Sequence, residues 1–137
     1  MTEEVKRNYL EINSLQDLNE GVKPSDDYSL SLIDPINFQL NKFFYKTIGK
    51  NHKWVDRLSW SEEKWISYVS SKNVQSFVLK NKDDLVGFFE LIFHPEKNET
   101  EIAYFGILLI FQNKLFLPLF FLSEKLIRKN LLNHLYS

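Results

Sequence analysis

From Leu85 to Phe93 the chain reads LVGFFELIF, apolar at every position except Gly87 and Glu90, which is the pattern of a strand covered on both faces. Pro95-Glu96-Lys97-Asn98 breaks the run. Glu101 to Leu109 is then apolar again, rich in β-branched and aromatic residues, with Gly106 in mid-strand, where a bulge or a close backbone approach is the usual reason for glycine. Upstream, Val74 to Lys80 predicts a strand that turns through Asn81-Lys82-Asp83-Asp84 into the first run, making three antiparallel strands. Tyr28 to Ile33 alternates apolar and small polar residues, as a strand with one buried face does. A short strand at Tyr9 to Ile12, followed by a polar loop through Gly21 and Pro24, can pair with it as a hairpin.

Helical periodicity fills the space between. Asp34-Pro35 predicts an N-cap with proline in the first helical position; Ile36, Leu40, Phe43, Phe44 and Ile48 fall on one face, and Gly49 stands where a glycine ends a helix. A second helix is predicted from Ser61 to about Ser70, with Glu62 and Glu63 in its first turn and Trp60 and Trp65 spaced as a hydrophobic staple. Ser59 with Glu62 is an alternative capping box. After Leu109 the pattern predicts a helix from Pro118 to Asn130, with Leu119, Leu122, Leu126 and Ile127 toward the sheet and Lys125, Arg128 and Lys129 toward water.

Composition narrows the classes of function. With 137 residues the chain reads as one domain, 44% hydrophobic and 26% charged, as soluble globular proteins are. Seventeen basic against 18 acidic residues give a net charge of −1, so no general attraction to nucleic acid or an anionic membrane is expected. The chain has no cysteine, which removes disulfides and thiol chemistry and suits a cytoplasmic location. No apolar leader is visible at the N-terminus, and Leu115 to Leu122 falls far short of the roughly 20 residues that span a bilayer. His52, His94 and His134 lie in three segments without ligand spacing, so no metal is expected.

The order of these elements, with Tyr9-Leu10-Glu11, Phe43-Phe44-Tyr45, Trp54 with Arg57, Gly87 to Leu91 and Glu101 to Ile107 (EIAYFGI), resembles the GNAT superfamily of acetyl-CoA-dependent N-acetyltransferases over roughly residues 8 to 112. The closest likeness is to small bacterial members. The resemblance implies an α+β GNAT-like fold, with a mixed, mostly antiparallel sheet and helices on both faces. Family members usually continue with further strands and a helix, so a domain incomplete at its C-terminus is expected, with self-association as a possible consequence of the uncovered apolar surface.

The implied reaction moves an acetyl group from acetyl-CoA to a primary amine of a small molecule or peptide by direct attack. In the family the thioester carbonyl lies against a bulge in the strand that is here Glu101 to Leu109, where backbone N–H groups polarise it. The pantetheine arm is expected along the backbone of Ile107, Leu108 and Leu109. Glu90 is the candidate base, as the only acid inside an apolar strand; its alternative is a strand carboxylate paired with Lys or Arg. Glu101 is a second candidate base, and Tyr104 a candidate to orient substrate or relay a proton. Tyr45, Trp54 and Arg57 are candidates for a substrate wall, with a packed loop as the alternative. The family's phosphate loop reads Gln or Arg, any two residues, Gly, any one, then Gly or Ala. Gln112-Asn113-Lys114 begins such a loop, but Leu115-Phe116-Leu117-Pro118 follows and no glycine occurs after Gly106. Lys114 can meet phosphate as a point charge. The alternative reading is a catalytically inactive or truncated GNAT-like module that acts only in ligand or protein binding.

Overall fold

The computed structural model describes residues 25–111 as one continuous stretch, together with residues 4, 6, 11 and 13–17. Strand β1 (Tyr28–Leu32), helices α1 (Phe38–Gly49) and α2 (Glu62–Val69), and strands β2 (Val74–Asn81), β3 (Asp84–His94) and β4 (Glu99–Ile107) follow in order. The strands form one antiparallel sheet in the order β1-β2-β3-β4. The chain is therefore α+β, and both described helices lie on the same face of the sheet. Apart from Glu11, which is exposed and in no strand, the expected strand at Tyr9 to Ile12 lies outside the described residues, as do Gln112 to Lys114 and the helix from Pro118 to Asn130.

Local chemistry accounts for the helix ends. In α2 the Ser61 side chain accepts from the Lys64 N–H, and Trp60 meets Trp65 edge-on at 5.0 Å, the staple that their spacing predicts. Helix α1 begins later than expected. Its N-cap is Asn37, whose side chain accepts from the Leu40 N–H at 3.1 Å, and Ile36 is left exposed outside the helix. The buried stripe is also rotated from the expected one: Asn41, Phe44, Tyr45 and Ile48 face inward while Phe43 is 43% exposed. A polar residue takes a core position because partners wait for it there, as described below.

The central strands are dry on both sides, which is why β3 reads apolar without alternation. On the helix face Phe44 stacks on Phe88 at 5.0 Å; on the other, Phe77 stacks on Phe89 at 4.8 Å, with Leu79 and Leu91 also buried.

The bulge in β4 is not at Gly106. Glu90 pairs with Tyr104 and Leu91 with Ile102, so the unmatched residue is Ala103. Gly106 answers to the other cause of a mid-strand glycine, a close approach: a Cβ there would stand 2.6 Å from Ile48 Cγ2 and 3.3 Å from Trp54 Cη2. Gly49 is likewise the last residue of α1 for packing rather than for a left-handed turn, since a Cβ would stand 2.6 Å from Trp54 Cβ. The two glycines make the seat of Trp54. Gly106→Ala is expected to destabilise the fold by about 1–3 kcal/mol, the usual range for overpacking, as read by urea unfolding. An unchanged midpoint would mean that α1 shifts freely over β4.

Candidate active site

The bulge at Ala103 decides which side chains meet. Residues 101 and 104 are an odd number apart, so in a regular strand they would point to opposite faces. With Ala103 unmatched, Glu101 pairs with Ile92, Tyr104 with Glu90 and Gly106 with Phe88, all of which belong to the helix-covered face. Glu90, Glu101 and Tyr104 are thereby brought to one side of the sheet, with Glu90 and Tyr104 under α1 and the loop that follows it.

Glu90 is fully buried and both its oxygens are engaged. Arg57 Nη1 donates to Oε2 at 2.8 Å, the Tyr68 hydroxyl donates to the same oxygen at 3.0 Å, and Asn41 Nδ2 donates to Oε1 at 2.9 Å. Asn41 Nδ2 also donates to Ser76 Oγ at 2.7 Å, and Arg57 Nη2 donates to the Tyr68 hydroxyl at 2.8 Å. Of the two readings of Glu90, the paired strand carboxylate is the one this geometry displays. Three donors fill most of the four lone-pair sites of this carboxylate, and with no exposed surface it is out of a substrate's reach.

Arg57 is caged as well as paired. Its Cζ lies 4.2 Å from the ring centre of Tyr68, 4.3 Å from Tyr104, 4.7 Å from Trp60, 5.5 Å from Trp65 and 5.6 Å from Tyr45. Its backbone N–H donates to the Tyr45 hydroxyl at 3.0 Å. Burial works against the guanidinium charge, but Glu90 and Tyr68 outweigh it and hold the group above its ordinary pKa. Tyr45 and Arg57, at 0% and 5% exposure, therefore support the site from behind and cannot line an open wall. Trp54 and Tyr104 are half-buried and 4.8 Å apart edge-on, so this pair is what a ligand on that side would touch.

Burial also raises two hydroxyls. Tyr68 is pushed well above the usual tyrosine range by burial and then by Glu90, while Tyr104 is pushed up to about 12 by burial and then by the neighbouring Tyr45 hydroxyl. The folded state thus holds these protons at a pH where the unfolded chain releases them. Stability from this source is complete below about pH 10 and is lost as pH rises toward the folded values. Alkaline melting curves should show the fall, and Tyr68→Phe should flatten it; an equally steep fall in that variant would assign it elsewhere.

Glu101 differs from Glu90. Its side chain is 56% exposed, and its Oε2 lies 2.8 Å from His94 Nε2, whose Nδ1 lies 3.7 Å from Glu96 Oε1. At the other end of β4 the strand stops at Ile107. Leu108 already donates to the Val86 carbonyl at 2.8 Å, and Leu109 begins a 3-10 turn, so the expected extended run from Ile107 to Leu109 is cut short. By alternation from Leu108, Gly106 and Tyr104 turn their backbone groups to β3 and Phe105 turns its own to the opposite edge.

Comparison with protein-family models, with curated proteins and with solved structures gives no match. Among the described residues no group of three or more His, Cys, Asp or Glu is placed to hold a metal ion, and no helix is long and apolar enough to cross a membrane.

Three members of the buried network, Asn41, Tyr68 and Ser76, were not singled out as site residues. For Asn41 a signal existed: it occupies the first place of the spacing 41, 44, 45, 48, where a polar residue inside an apolar stripe implies a buried partner. Ser76 carries no such mark, because nothing local foretells which strand serine lies opposite a helix asparagine.

Proposed function

We propose that the chain is a GNAT-type N-acyltransferase that uses the bulged edge of β4 to carry acetyl from acetyl-CoA to a primary amine of a small molecule or peptide. The observation that carries this reading is the bulge at Ala103, which joins a half-exposed carboxylate, Glu101, to the aromatic pair Trp54 and Tyr104 on one face, beside an outward-facing backbone at Phe105. Among the described residues β4 has a neighbour on one side only, which suits an extended thioester arm laid along its other edge. Phe105 is where that arm would lie. Bound there, acetyl-CoA supplies an acyl carbon activated for attack by an amine. As the amine nitrogen bonds to the acyl carbon the thioester C–S bond breaks; Glu101 Oε takes the proton that the amine loses, which balances the released coenzyme A thiolate, and His94 fixes the orientation of that carboxylate. Trp54 and Tyr104 hold the acceptor and exclude water. Glu101 rather than Glu90 takes the base role, since Glu90 serves as the counter-ion of Arg57.

Thiol release from acetyl-CoA with a panel of primary amines tests the proposal. Turnover with at least one amine is expected. The absence of both amine acetylation and saturable acetyl-CoA binding would overturn it. The fully engaged Glu90 favours a second reading, a GNAT-like module that binds a ligand or partner without catalysis; acetyl-CoA binding without turnover would select it.

A further inference from the structure

A second place for a ligand lies on the same face of the sheet but on its β1-β2 side. A cavity of about 310 Å³ opens between the loop at 33–37, the first turns of α1, the C-terminal end of α2 and the start of β2. That is within the size range of small-molecule sites, about 300–1,000 Å³. Asn41 and Ser76 line it from below, at 1% and 9% exposure.

The hydrogen-bond inventory of these two residues is not exhausted. The Asn41 amide donates to Ser76 Oγ and to Glu90 Oε1, which uses both of its N–H groups. These two bonds leave the Asn41 Oδ1 acceptor and the proton of the Ser76 hydroxyl outside the network with Glu90. One acceptor and one donor, side by side on a buried floor, are the complement of a primary carboxamide: its C=O accepts from Ser76 and its N–H donates to Asn41. Ile33 and Val69 supply apolar wall. Asp34 and Lys72, of opposite charge, also line the cavity, both residues are exposed, and neither is ion-paired among the described residues.

We propose that this cavity binds an amino-acid-sized zwitterion ending in a carboxamide, with the amide on Asn41 and Ser76, the ligand ammonium at Asp34 and its carboxylate at Lys72. The site is separate from the Trp54 and Tyr104 pair, yet its floor is bonded directly to Glu90 and through it to Arg57, which stacks on Tyr104. Its occupation does not depend on the acyl-transfer reading.

L-glutamine and L-norleucine are the probes, titrated into the whole chain and followed by amide chemical shifts. Both carry the same charges, but norleucine lacks the carboxamide. L-glutamine is expected to bind about tenfold or more tightly than norleucine, the scale of one or two net hydrogen bonds, with shifts centred on α1 and the start of β2. Lys72→Met, on an exposed side chain that leaves the core untouched, should weaken glutamine binding severalfold. Ser76→Ala should remove the preference for glutamine over norleucine. Equal affinities for the two probes, no saturable shift with either, or unchanged binding in Lys72→Met would each overturn the proposal.

Discussion

Arg57→Ala is expected to be the most damaging single substitution in the described fold, costing about 3–5 kcal/mol, the range for removing one partner of a buried ion pair. The reason is asymmetry. Glu90 has no exposed surface and would keep only the Asn41 and Tyr68 donors while its charge stayed buried, and the five rings around the guanidinium would border a void. Most domains have only about 5–15 kcal/mol to lose, so the variant should melt early or fail to fold. The paired replacement Arg57→Met with Glu90→Leu, which removes both charges and refills the space, should recover much of the loss. Urea unfolding of both variants decides the matter. A loss under about 1 kcal/mol for Arg57→Ala would mean that water reaches Glu90 and the cage is not closed.

On the proposed acyl-transfer reading, Glu101→Gln is expected to lower amine acetylation by about 10²-fold or more, the scale of a lost general base, with acetyl-CoA affinity and stability little changed. The side chain is more than half exposed and holds one contact, with His94, so its removal should leave the core as it is. Glu90→Gln should behave the opposite way: stability falls, and activity falls only as far as the folded fraction does. Measured together, the two variants separate a chemical carboxylate from a structural one. An unaffected rate in Glu101→Gln, with a large loss of turnover per folded molecule in Glu90→Gln, would return the base role to Glu90.

Much of the architecture was legible along the chain because it rests on local terms. Period-2 and continuous apolar runs located the four described strands, and the breaks at Lys82 and Asn98, both in the left-handed region, fall inside the turns that their residues announced. The Ser61 cap with its tryptophan staple was equally plain, since every part of it lies within six residues. The start of α1 is ambiguous in the sequence because two local signals compete there. Asp34-Pro35 and Asn37 are both acceptable beginnings, and the choice went to Asn37, whose oxygen reaches the Leu40 N–H.

By itself the sequence determined the strand and helix order, the dry centre of the sheet and the list of residues with chemistry to offer. Only the tertiary structure decided what those residues do. Ala103 looks like any strand residue, yet as the unmatched position it puts Glu101 and Tyr104 on one face, because side-chain direction in a strand depends on counting against the neighbour and not on the residue itself. Glu90 reads as a base or as an ion-paired acid until Arg57, 33 positions away, is found 2.8 Å from it. Gly106 reads as a bulge until Ile48 and Trp54 are seen to occupy the space of its missing Cβ. In each case the deciding quantity is a distance between groups remote in sequence. Packing sets such distances, and no local pattern along the chain encodes them.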